Sequence, residues 1–207
     1  MFKTLQKIGK AFMLPIAILP AAGLLLGIGG ALSNPTTAKS YPVLDNPILQ
    51  DIFQVMSAAG NVIFENLALL LSIGLCIGLA KRDKGTAALA GITGFLVMTA
   101  TTKALVVLSR HPDRTIDTGV VGSLVIGAIA VWLHNRYHNI ELPAFLGFFG
   151  GSRFVPIVTA FAGIIIGAFF FVVWPPIQAG MVSAGTAIAD WGVIGTFFYG
   201  FLMRLAG

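Results

Sequence analysis

Four groups of residues in this 207-residue chain have the types and spacing from which chemistry could be built. His134 and His138 stand four apart, with Glu141 three further on, a spacing that suits a metal-binding helical face. No convincing fourth ligand or outer-shell partner follows. With Arg136, the two histidines read instead as cations closing a helix, where they complement its dipole. Glu65 and Lys103 lie inside apolar runs, where a charge is expensive and marks either a contact along a solute path or an ion pair. Cys76, the single cysteine, sits between Leu75 and Ile77 and reads as packing rather than as a nucleophile. Gly27-Ile28-Gly29-Gly30 has no preceding strand and no Lys-Ser/Thr after it, so it is not a phosphate loop. No Ser-His-Asp or Cys-His arrangement can be drawn, and neither a metal nor a cofactor is expected.

The elements that must position these residues belong to a membrane. The chain is 57% hydrophobic and only 10% charged, with a mean hydropathy of +0.90. Such a composition cannot cover a soluble domain with polar groups. Apolar runs cover about 11–32, 62–80, 86–108, 119–132, 154–173 and 191–206. In lipid every backbone group must be satisfied internally, so unalternating runs this long are helices. The sequence therefore predicts an all-α polytopic bundle of about six spans. Sparse, scattered charge argues against a nucleic-acid partner despite a net charge of +5. The lone cysteine excludes a disulfide scaffold.

The cations set the orientation. With the N-terminus in the cytoplasm, inside segments hold nine (Lys3, Lys7, Lys10, Lys81, Arg82, Lys84, Arg136, Arg153, Arg204). Outside segments hold three (Lys39, Arg110, Arg114). On this placement Glu65, 16 residues before Lys81, and Lys103, 19 after Lys84, lie roughly 24–28 Å from the inner end. They are expected to pair with each other near the outer interface.

Two connections are more than turns. Outside, Ile48, Leu49, Ile52, Phe53, Val55 and Met56 are spaced as a short helix lying in the interface. Inside, NRYHNIELPAFLGFFGGSR is too broken by proline and glycine to span, and predicts an amphipathic or re-entrant segment. Small-residue pairs at four-residue spacing, Gly23/Gly27, Gly74/Gly78 and Gly163/Gly167, predict close helix packing.

Three stretches go further: FMLPIAILPAAGLLLGIG (12–29), NLALLLSIGLCIGLAKRDKGTAALAG (66–91) and ELPAFLGFFGGSRFVPI (141–157), followed by Trp174-Pro175-Pro176-Ile177. They resemble the membrane permease subunit, enzyme IIC, of the phosphoenolpyruvate-dependent sugar phosphotransferase system, in its glucose, N-acetylglucosamine and glucoside branch. The resemblance runs in order along the chain. It implies a bacterial cytoplasmic-membrane homodimer that binds a hexose-type sugar outside and carries it across by an elevator-like movement. The sugar hydroxyl would then meet a phosphocysteine on a IIB partner, charged through enzyme I, HPr and IIA.

The family continues beyond Phe201-Leu202-Met203-Arg204-Leu205 into Gly-Leu-His-His and Thr-Glu-Pro stretches that hold the sugar, and neither is in this sequence. Residues 1–207 are therefore expected to be the N-terminal part of the permease domain, the scaffold and dimerisation half. They could be a truncated form, a fragmentary gene product or one piece of a split protein. Arg204 is the one residue the resemblance carries over as sugar-binding. No phosphoacceptor cysteine or histidine motif is recognisable, so the phosphotransferase activity belongs to the parent complex. Two rival readings are a non-catalytic module that pairs with full-length permeases and, more weakly, a passive pore, for which no paired half-helices or charged ring exist.

Overall fold

The structure, a computed structural model, describes residues 2–44, 46–109 and 116–189. Among these residues every regular element is a helix. The helices are α1 (Phe2–Ile16), α2 (Leu19–Leu32), α3 (Pro35–Ser40), α4 (Pro47–Glu65), α5 (Leu67–Leu79), α6 (Lys84–Leu108), α7 (Gly119–Tyr137) and α8 (Phe154–Ala189). Helices α6 and α7 and the stretch Gly151–Ser183 are long and apolar enough to cross a membrane. The pair α4/α5, bent by 55°, makes a fourth candidate. The expected last run, 191–206, lies outside the described residues.

Side-chain size is distributed as lipid demands. Fully buried positions are mostly small, among them Ala22, Cys76, Ala87, Ala90 and Ala130, while Leu24, Phe161, Ile165 and Val172 are exposed. With hydrocarbon outside, large apolar residues gain little by burial, and small ones let backbones approach. Helices α5 to α8 pack into one group, α1 lies on α5, and α2 pairs with α4.

The first apolar run is broken at its two prolines, as prolines inside a span lead one to expect, whereas several other boundaries differ from expectation. Pro15 lies near the end of α1 and Pro20 in the first turn of α2, and each lacks the N–H that a continuous helix would need. The outer interfacial helix is not separate either: α4 runs unbroken from Pro47 to Glu65, because nothing after Met56 stops it. It stops at Asn66, whose backbone N–H and Nδ2 both donate to the Val62 carbonyl, at 3.1 and 2.8 Å. Past the expected end at Val173, α8 continues through Pro175 and Pro176 to Ala189. At about 1.5 Å per residue its 36 residues exceed a bilayer core of about 30 Å.

The glycine pairs divide. A methyl on Gly163 would stand 2.9 Å from the Gly94 carbonyl oxygen, and one on Gly167 2.7 Å from that of Met98, so α6 and α8 touch at backbone distance. Methyls on Gly74 and Gly78 would strike Pro15 and Ala11 of α1. Gly27, however, meets nothing within 4 Å. The close approach of α2 uses Gly29, against Ser57 and the Phe53 carbonyl, with Gly60 of α4 against Leu26. Spacing along one helix does not say which face a partner takes.

Candidate functional site

Among the described residues, a group of polar side chains gathers at the end carrying Lys81, Arg82 and Lys84. The turn between α5 and α6 is bound to the last turn of α7. Asn135 Oδ1 accepts from the Lys81 N–H at 2.9 Å, while its Nδ2 donates to the Leu79 carbonyl at 3.2 Å. One amide thus satisfies both sides of a helix end, where backbone groups lack partners. His134, fully buried, places Nε2 2.7 Å from the Arg82 carbonyl. A carbonyl only accepts, so Nε2 carries the proton. His138 similarly donates from Nδ1 to the His134 carbonyl at 3.1 Å, with the two rings stacked 5.6 Å apart.

Helix α6 opens at Asp83, whose φ of 44° is left-handed, a region that asparagine and aspartate tolerate better than most residues. Its carboxylate accepts from the Thr86 hydroxyl at 2.6 Å and from the Thr86 N–H at 3.4 Å. Hydrogen bonds from the Thr86 and then the Ser152 side chains hold this carboxyl below the ordinary aspartate range.

Opposite this turn, residues 138–153 fold back on themselves. Gly151, at φ 66°, donates its N–H to the Ile140 carbonyl at 2.8 Å, closing a loop around the short 3-10 turn Ala144–Phe149. The segment expected to be amphipathic or re-entrant is thus a tied loop. Between loop and turn lies an open cavity of about 780 Å³ whose lining includes Arg82, Asp83, His138, Glu141 and Ser152. It offers one guanidinium, two carboxylates, an imidazole and a hydroxyl beside Ile140 and Leu142.

Glu65 ends α4 and Lys103 lies on α6. Glu65 Oε1 accepts from Asn61 Nδ2 at 2.6 Å, and Lys103 is exposed on α6, which packs on α5, α7 and α8. Arg204 lies outside the described residues. Cys76 is buried and donates its thiol to the Gly127 carbonyl across α5 and α7 at 3.6 Å. Sequence reasoning missed Asp83, Asn135 and Ser152; the signal that could have found Asp83 is an aspartate three residues before a threonine at a helix start, the pattern of an N-cap.

Residues 9–207 match the family model described as "Phosphotransferase system, EIIC". That span is nearly the whole chain, and its helical content and long apolar helices are those of an integral membrane protein. The chain belongs to the EIIC family of the phosphotransferase system, whose members take part in sugar transport.

Proposed function

We propose that the parent protein takes up a glucose-type hexose and hands it to a IIB phosphocysteine. In this reading, residues 1–207 are the scaffold and dimerisation half, seated in a bacterial cytoplasmic membrane with the N-terminus inside. One observation supports the scaffold role: the buried hydroxyls are spent on helix carbonyls. Ser72 donates to Gly91 at 3.2 Å, Thr102 to Met98 at 2.9 Å and Thr159 to Val155 at 2.8 Å. A sugar site needs such groups turned toward the solute. The glucose branch, and Arg204 as a sugar contact, rest on the sequence resemblance.

Saturation binding of radiolabelled glucose to the purified segment tests the division of labour. No saturable binding is expected. Saturable binding that competing glucose displaces would overturn it. Phosphoenolpyruvate-dependent uptake assays on the parent permease, with glucose and N-acetylglucosamine in competition, test the sugar class. Preference for a non-hexose would reject it.

A further inference from the structure

The tied loop carries an exposed apolar surface. All seven residues from Pro143 to Phe149 are exposed. Four are large and apolar: Phe145, at 83% of its full area, Leu146, Phe148, at 72%, and Phe149. A contiguous patch of this kind is unfavourable in water and marks a surface that something apolar covers. Two features identify the cover. The loop leads through Arg153 directly into α8, a helix long and apolar enough to cross a membrane, whose Ile157, Phe161, Ile164 and Ile165 form an exposed apolar stripe. The guanidinium of Arg153 also sits 5.2 Å from the Phe148 ring centroid and donates to the Phe148 carbonyl at 3.3 Å. An apolar ring with a guanidinium over its face suits the boundary between acyl chains and headgroups, where the ring meets the chains and the cation the water.

The charge around the loop has the matching sign. Lys81, Arg82, Lys84, Arg136 and Arg153 stand at this end against Asp83 and Glu141. Clustered cations beside an apolar segment attract anionic lipid. We propose that the Ala144–Phe149 turn is a membrane-surface anchor. Its phenylalanines insert into the interface of an anionic leaflet, fixing the depth of the loop beside the polar cavity.

Spin labelling provides the test. In a Cys76→Ser background, Phe148→Cys and, separately, Phe145→Cys are labelled and reconstituted into vesicles of phosphatidylethanolamine and phosphatidylglycerol. Labels at Ile165 (lipid) and Lys84 (water) bracket the scale. Oxygen accessibility exceeding that of a water-soluble nickel chelate at both loop positions is expected, with depths between the two controls. Higher chelate accessibility would place the loop in water and overturn the anchor. Accessibility to neither reagent would mean that protein covers it, a partner or a second copy, and would overturn it equally. The Phe145 label keeps the test valid if substitution at Phe148 prevents folding. Unchanged depth in phosphatidylcholine vesicles would refute the part assigned to anionic lipid.

Discussion

The Thr102 hydroxyl on α6 lies 3.2 Å from the carbonyl oxygen of Gly167 on α8, while also bonding to Met98 in its own helix. That shared bond is possible because Gly167 has no side chain to hold the helices apart. A methyl there would stand 2.7 Å from the Met98 carbonyl oxygen and 2.8 Å from Thr101 Cβ. The same few atoms thus provide close approach and a polar link between two spanning helices.

Gly167→Leu is therefore expected to separate α6 from α8, with a loss of about 1–3 kcal/mol or more from overpacking. Thermal unfolding in detergent should show a lower midpoint than for Gly27→Leu, whose site in this chain is open. Equal midpoints for the two variants would contradict the α6–α8 contact.

Asn135 holds the α5–α6 turn by an acceptor and a donor at once. Asn135→Ala removes both, at a cost of about 1–2 kcal/mol for partly exposed hydrogen bonds. Faster amide exchange at Lys81 is the specific signature. A lower midpoint without that local change would place the effect elsewhere.

Asp83 gives the basic end a pH dependence. Its folded pKa is depressed, so the unfolded chain binds more protons and stability rises with pH across this range. The contribution is complete above the unfolded carboxylate value of about 4 and is lost as pH falls through the folded one. Asp83→Asn, which tolerates the left-handed backbone, is expected to flatten the acid limb of a midpoint-against-pH curve. An unchanged limb would show that the Thr86 and Ser152 bonds do not hold the charge in solution.

Cys76 is fully buried. The folded protein is expected to resist maleimide labelling in membranes and to label once denatured in dodecyl sulfate. In a Cys76→Ser background, Lys84→Cys and Asp117→Cys should label from opposite faces of sealed cells, Lys84→Cys from the cytoplasmic side. Labelling of both from one face would reject their placement on opposite sides, and labelling of Lys84→Cys from outside would reject the proposed orientation.

Much of the bundle was legible from hydropathy. The runs at 86–108 and 119–132 became α6 and α7 within a few residues, because an uninterrupted apolar run in lipid has no alternative to a helix. The interruptions were harder. Gly60 looks like a breaker but serves as a contact with α2, and Pro175-Pro176 looks like an end that α8 runs through. At Gly60 the neighbouring α2 decides, and its position is not encoded locally.

The sequence alone determined the solvent, the helical class and the family, because composition and ordered motifs are properties of the chain itself. The tertiary structure decided which glycines touch, that Asn135 closes the α5–α6 turn, and that Asp83, His138, Glu141 and Ser152 face one cavity. These residues are up to about seventy positions apart, and only the relative rotation of packed helices brings them together.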